Sequence, residues 1–287
     1  MLTVLESLKL STTFLENKGI ESARMNAELL LSHILNCGRM DLYLRYNQPL
    51  NSFETTTYRE YISRRGNFEP YQYIVGEVEF YGLKFFVNKN VLIPRQETEI
   101  LIDTILQKYP KDAELKILDI GTGSGNIPIT LALNLPNSKI ISVDVSDKAL
   151  KVAEKNRELH DLKSRVGFIN TDILENDLAK YVDTFDIVVS NPPYVNNKEF
   201  PTLQKEITDF EPDIAVTDFS DGLKFYREIS NKSMKLLKNS GMLFFEVGQE
   251  QADDVKTIMK KNGLSKIEIV KDLSEIERVV ISTKELS

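Results

Sequence analysis

The sequence predicts an α/β fold in which a seven-stranded sheet, covered by helices on both faces, follows a small all-helical N-terminal domain and a β-hairpin. Three observations carry that expectation. From residue 115 onward, short near-continuously apolar runs alternate with helical stretches, the pattern of strands buried on both sides. The last two runs, SKIEIVKD and ERVVIST, are separated by only a short Leu-Ser-Glu turn, a hairpin-like end that suits one antiparallel strand. Before residue 70, apolar residues recur at spacings of three and four instead.

Taken in order, Val4, Leu5, Leu8, Phe14 and Leu15 mark a first helix that Gly19 stops. The stretch ESARMNAELLLSHIL makes a second, with Ser22 as its expected cap and Leu29, Leu30, Ile34 and Leu35 on a broad apolar side. A third opens near Asp41 and a fourth runs from about Glu54 to Arg65, where Arg64-Arg65 reads as a solvated helix end. These four make a domain over residues 1–70. Residues 71–99 form a linker with structure of its own: Val78, Phe80, Leu83, Phe85 and Val87 alternate around Tyr81-Gly82 as a hairpin would. Residues 100–287 hold the sheet. Its strands are LKILDIG (115–121), KIISVDV (139–145), RVGFIN, FDIVVSN (185–191) and GMLFFEVG (241–248), then the two of the tail. Helices follow Gly125 and span about 147–160.

With 287 residues, 41% of them hydrophobic and 28% charged, the chain has the composition of a soluble globular protein. The net charge of -7 argues mildly against a surface built for nucleic-acid phosphates. A single cysteine, Cys37, allows no internal disulfide, and the distant His33 and His160 give no metal site. MLTVLESLKL lacks the features of a secretory signal. No run reaches the ~18 apolar residues of a membrane span, so a cytoplasmic protein is expected.

The loop DIGTGSG sets Gly121, Thr122, Gly123, Ser124 and Gly125 between the first strand and its helix. Glycine there lets the chain turn sharply and a ligand approach the backbone, outside the carboxyl ends of the strands. Asp144 ends the second strand, where a carboxylate can accept from both hydroxyls of a ribose. This pair indicates a nucleoside cofactor. G-x-G-x-G in place of the dinucleotide G-x-G-x-x-G leans toward S-adenosylmethionine. Asp119 either orients the turn or accepts from the cofactor's amino group, and Asp172 either meets the adenine amino group or caps its loop.

The fourth strand ends in Ser190-Asn191-Pro192-Pro193-Tyr194, at the edge where such a cofactor would lie. Planar nitrogens are weak nucleophiles because their lone pair is delocalised. The Asn191 side-chain oxygen and the Pro192 carbonyl can each accept one N–H of a target NH2, aiming the nitrogen at a methyl group. The prolines stiffen the turn, and Tyr194 is expected to stack on the flat target. No strong general base is evident, and none is required if the proton leaves after transfer has begun. The residues thus point to S-adenosylmethionine-dependent N-methylation, with Asn191, Pro192 and Tyr194 as the catalytic group.

Together with SAR..AELLL, EPYQYIVG, IPRQETE, EITDFEPDIAV, DGLKFYREI and LFFEVGQEQ, these motifs make the chain resemble the HemK/PrmC family of peptide chain release factor glutamine methyltransferases over nearly its whole length. The resemblance implies a seven-stranded Rossmann-like class I methyltransferase sheet, with a helical N-terminal domain that helps bind the release factor. It implies methylation of the glutamine of a Gly-Gly-Gln loop, with S-adenosylhomocysteine as the second product; release factors are the expected partners of a protein expected to be a monomer, with no direct nucleic-acid contact and no membrane. It further assigns Gly121 to Gly125, Asp144, Asp172, Ile173 and Asn191 to the cofactor, and Asn191, Pro192, Pro193 and Tyr194 to the glutamine. Pro128, early in the helix after the glycine loop, departs from the family pattern at a place where proline is tolerated. A DNA adenine N-methyltransferase would also carry Asn-Pro-Pro-Tyr, but the short acidic stretch from Val195 to Asp218 offers no region to hold a flipped base. A non-catalytic adaptor that kept the fold is a third alternative, against which the intact loop and clamp argue.

Overall fold

The computed structural model describes residues 1–285. The chain divides into two compact units: residues 1–77 with 204–210, and the rest.

In the first unit, helix α1 (Val4–Asn17) opens with a capping box. The Glu6 amide donates to Thr3 Oγ1 at 3.2 Å and the Thr3 amide to Glu6 Oε2 at 2.8 Å, so two orphan donors are satisfied reciprocally. Just past its end Gly19 has φ +76°, as a helix stop requires. Helix α2 (Ala23–Ile34) begins differently from expectation. Ser22 takes a left-handed conformation with no side-chain cap, and Asn26 instead donates to the carbonyls of Glu21 and Ser22. Helices α3 (Asp41–Leu44), α4 (Ser52–Arg65) and α5 (Tyr71–Val75) follow. A capping box between Asn51 and Glu54 starts α4 two residues before its expected first residue. Val4, Leu15, Ala27, Leu30, Leu31 and Leu42 are fully buried among these helices.

The Arg64-Arg65 pair is not a solvated helix end. Arg65 is buried, with bonds to Asn26 Oδ1 at 2.7 Å, the Glu69 carbonyl at 3.2 Å and the Glu206 carboxylate. Arg64 pairs with Glu69 at 2.6 Å. A buried cation needs such partners to offset desolvation, and one of them comes from 141 residues away.

The second unit begins within a hairpin of β1 (Glu77–Phe80) and β2 (Leu83–Phe86). Its turn residues Tyr81 and Gly82 both have positive φ, 54° and 69°, the signature of the turn that matches strand twist. There follow α6 (Glu97–Lys108), β3 (Lys116–Ile120), α7 (Asn126–Asn134), β4 (Lys139–Asp144), α8 (Asp147–Leu159), β5 (Val166–Asn170), β6 (Phe185–Ser190), the short α9 (Lys205–Thr208, grouped with the first unit) and α10 (Asp213–Val216), α11 (Lys224–Leu236), β7 (Leu237–Glu246), α12 (Ala252–Lys261), β8 (Leu264–Lys271) and β9 (Glu277–Lys284). Pro128 is the third residue of α7, where its missing N–H would have been an orphan donor.

The seven strands run in the order β5-β4-β3-β6-β7-β9-β8. β9 alone runs against its neighbours, antiparallel to both β7 and β8. Alternate residues enter two separate cores. Ile117, Ile187, Val189, Phe244 and Ile281 face one, with Leu101 and Ile105 of α6 and Ile129 of α7. Leu118, Val188, Phe245 and Val280 face the other, with Ile229 of α11 and Val255 of α12. Burial on both faces is why the strands read as unbroken apolar runs, each large side chain contributing about 1.5–3 kcal/mol. No helix among the described residues is long and apolar enough to cross a membrane.

Candidate active site

The order of the sheet sends the chain one way from β3 to β4 and β5, and the other way to β6 and β7. In such sheets the crevice at this reversal, outside the carboxyl ends of the strands, is where ligands bind. A cavity of about 380 Å³ opens there. Gly121 and Gly123 reach it from the loop after β3, Asp144 from the end of β4, and Asp172 and Ile173 from beyond β5. Asn191, Pro192 and Pro193 reach it from the end of β6.

Asp144 organises the glycine loop. Its Oδ2 accepts the Gly123 N–H at 2.9 Å and its Oδ1 the Ser146 N–H at 2.9 Å. Burial raises its pKa, and these backbone donors pull the other way. Each oxygen keeps a further lone pair for a ligand hydroxyl. Gly121 and Gly123 have φ of +79° and +53°, and a Cβ on Gly123 would meet nothing within 4 Å. The space beside the loop is therefore not filled by protein. A bare backbone rim, open space and a carboxylate with spare acceptors fit the ribose of an adenosyl cofactor such as S-adenosylmethionine.

Not every residue of the motif faces the cavity. Thr122 and Ser124 are buried beneath the loop, and the Ser124 carbonyl accepts from Asn156 Nδ2 at 2.8 Å. Asn156, fully buried on α8, also holds both the N–H and the carbonyl of Phe86, tying the hairpin to the loop. Gly125 caps α7 at φ +82°, and a Cβ there would come within 3.1 Å of Ile129 and 3.3 Å of Ala153. Its lack of a side chain serves helix packing. Asp119 is wholly buried and does not line the cavity. Burial lifts its carboxyl to about 7, against the pull of the Thr122 and Ser142 hydroxyls beside it.

Beyond β5, Asp172 caps its own turn by accepting the Leu174 N–H at 2.8 Å, while still lining the cavity. The loop is held from below by Lys232 of α11, which donates to the carbonyls of Ile173 at 2.5 Å, Asn176 at 3.1 Å and Leu174 at 3.2 Å. Asp177, at 3.2 Å, completes the shell of this buried ammonium. The lysine sits in an ordinary helical stretch, and nothing local in the sequence signals its task.

At the clamp, Ser190 Oγ donates to the Ile120 carbonyl at 2.7 Å and locks the ends of β6 and β3 together. The Asn191 amide nitrogen donates to Thr98 Oγ1 at 3.2 Å. Tyr194 does not line the cavity. Its ring packs against the core that holds α11 and α12, and burial pushes its phenol up to about 12. Its carbonyl accepts from Gln251 Nε2 at 3.0 Å, and Gln251 Oε1 accepts the Gly248 N–H at 3.1 Å. Farther along, Arg95 grips Glu211 through both carboxylate oxygens, at 2.6 and 2.8 Å. This pair ties the segment before α6 to the Pro212–Ile214 rim of the cavity. Thr98, Arg95, Glu211, Glu246 and Gln251 all fall within the stretches IPRQETE, FEP and EVGQEQ. These stretches stand out in the sequence as motifs, yet the roles of the individual residues needed the fold.

Comparison with known proteins agrees with this geometry. Residues 6–76 match the family model described as PrmC N-terminal domain, and residues 111–279 match the one described as Methyltransferase domain. The release factor glutamine methyltransferase of Chlorobaculum tepidum is 37% identical over 282 residues, covering 96% of this chain and 95% of that protein. The protein of the same name from Koribacter versatilis is 38% identical over 286 residues, covering 100% of both. A methyltransferase from Pyrococcus furiosus shares the fold, with a TM-score of 0.52 at 18% identity over 72% of this chain and 91% of that one. The chain belongs to the family of release factor glutamine methyltransferases.

Proposed function

We propose that the protein methylates the side-chain amide nitrogen of the glutamine in the Gly-Gly-Gln segment of peptide chain release factors. The observation that carries this reading is one cavity lined both by Gly121, Gly123 and Asp144 and by Asn191, Pro192 and Pro193. S-adenosylmethionine, when bound, supplies an electrophilic methyl group on a sulfonium. Asp144 accepts from the ribose hydroxyls, Gly121 and Gly123 admit the adenosyl group to the backbone, and Asp172 and Ile173 border its adenine. Thr122, Ser124 and Gly125 act by shaping the loop.

Asn191 Oδ1 accepts one N–H of the target amide, and the Pro192 carbonyl accepts the other. The two acceptors hold the NH2 group and return electron density to nitrogen. Holding a weak nucleophile in line removes much of the entropic barrier to transfer. Pro192 and Pro193 keep the acceptors fixed. Tyr194, turned into the core, supports the clamp from behind through its backbone and ring.

The protein substrate follows from the family, in which relatives are named for release factors and glutamine. The helical segment of residues 1–70 is the part we assign to recognition of the release factor, with 71–99 as linker and 100–287 as catalytic domain. The test is transfer of labelled methyl from S-adenosylmethionine to a purified release factor, with mass spectrometry to locate it. Label on the Gly-Gly-Gln glutamine is expected; label on DNA adenine instead would overturn the proposal.

A further inference from the structure

Behind the clamp lies a buried polar cluster with no part in the scheme above. Thr98 stands in the first turn of α6 and Glu246 at the end of β7, 2% and 3% exposed. Asn191 Nδ2 donates to Thr98 Oγ1 at 3.2 Å, and the Glu246 carboxylate faces both the Thr98 hydroxyl and the Asn191 amide. Glu246 Oε2 has no hydrogen-bond partner among the described residues. Glu97, Arg278 and Tyr194 are the other ionisable groups near this cluster. The Tyr226 hydroxyl is committed to the Glu246 backbone carbonyl.

A carboxamide has two ends of nearly equal shape and opposite hydrogen-bonding character. For Asn191 to grip a target N–H, its oxygen must face the substrate and its NH2 must face the protein. A hydroxyl alone cannot enforce that choice, because it donates as readily as it accepts. An ionised carboxylate only accepts. A Thr98 hydroxyl that gives its proton to Glu246 offers Asn191 only an acceptor, and an Asn191 oxygen turned inward would then meet two acceptors.

We infer that Thr98 and Glu246 are positioning residues that fix the Asn191 amide with its nitrogen inward and its oxygen toward the substrate amide. This rests on the reading of Asn191 as the clamp. Neither residue touches the reacting atoms. Their effect is on which end of Asn191 does.

The full-length protein tests this at pH 8 through Thr98→Val, Thr98→Ser and Glu246→Gln. Thr98→Val keeps the shape and removes the hydroxyl. It should lower kcat on a release factor by ~10²-fold, the scale of a misplaced contact, with KM and the calorimetric affinity for S-adenosylhomocysteine unchanged. Thr98→Ser should restore kcat. Glu246→Gln, whose new NH2 can donate to Thr98, should lower kcat while the fold is kept. Independently of turnover, the Asn191 side-chain amide protons should exchange slowly with solvent in the native protein and fast in Thr98→Val. Unchanged kcat together with unchanged exchange in Thr98→Val would overturn the inference. If Thr98→Val unfolds, unchanged kcat in Glu246→Gln overturns it instead. A native protein that protects the Asn191 amide but methylates no release factor would refute the proposed substrate and leave the orienting device standing.

Discussion

The Gln251 side chain donates to the Tyr194 carbonyl at 3.0 Å while accepting the Gly248 N–H at 3.1 Å. One residue thus joins the turn after β6 to the turn after β7, and the Asn-Pro-Pro-Tyr turn is braced from a neighbouring strand. The fit is close: a Cβ on Gly248 would lie 2.7 Å from Gln251 Oε1 and 2.9 Å from Tyr194 Cδ2. Gly248→Ala should therefore destabilise the protein by roughly 1–3 kcal/mol through overpacking. Thermal unfolding checks this, and an unchanged midpoint would show that the brace yields freely.

Asn191→Ala removes one of the two acceptors assigned to the target amide. Loss of a donor or acceptor aimed at the reacting group costs ~10²–10³ in kcat. A methyl-transfer assay at saturating cofactor measures it, and a near-normal rate would mean that the clamp is misassigned.

Asp144→Ala should act on binding. It removes the acceptor for the ribose and frees the Gly123 N–H that now bonds to it at 2.9 Å. Hydrogen bonds to a charged group contribute about 1.5–3 kcal/mol each, so affinity for S-adenosylhomocysteine should fall by at least tenfold on that scale. Calorimetry reads this directly; equal affinity in the variant would contradict the ribose assignment.

Lys232→Met keeps the stem of the buried lysine but removes the donor to three carbonyls and the partner of Asp177. Leaving those acceptors unpaired should cost about 1–3 kcal/mol and loosen residues 173–177. Hydrogen exchange should rise in that loop, with cofactor affinity falling more than kcat. Unaltered exchange there would show the loop to be held by other means.

Stability should fall as pH rises from about 4 toward neutrality. Burial lifts the Glu246 and Asp119 carboxyls to about 7, above the roughly 4 of an unfolded chain. The folded state therefore binds these protons more tightly. The stabilising contribution is full below about pH 4 and is lost progressively up to about pH 7. Glu246→Gln, neutral at every pH, should flatten that slope in denaturant titrations between pH 5 and 8. An unchanged slope would mean that Glu246 titrates normally.

Much of this fold was legible because two-sided burial writes each strand as an unbroken apolar run. The Tyr81-Gly82 turn was legible for a related reason: a local backbone demand is met by local residues. The cofactor loop could be found from its glycines, but not which of its residues face outward. In the structure Gly121 and Gly123 border the cavity, while Thr122, Ser124 and Gly125 turn inward. Tyr194 was expected against the substrate; its half-buried ring packs beside the core and does not line the cavity, since two prolines fix the chain but not the direction of the next ring. Arg65 misled because its partner Glu206 is remote in sequence. Helices α6, α11 and α12 went unremarked among charged residues, and with them Thr98 and Lys232.

The placement of β9 has a consequence for how the molecule forms. It lies between β7 and β8, although it follows both in the chain. Until it arrives, β8 has no neighbour in the sheet and β7 presents a bare edge. Val279 and Ile281 on one side and Val280 on the other are absent from the two cores until then. A chain interrupted at residue 276 would contain every residue that lines the cavity and still offer an open, adhesive strand edge to other chains. The interior of this sheet is therefore closed only by the last strand of the chain.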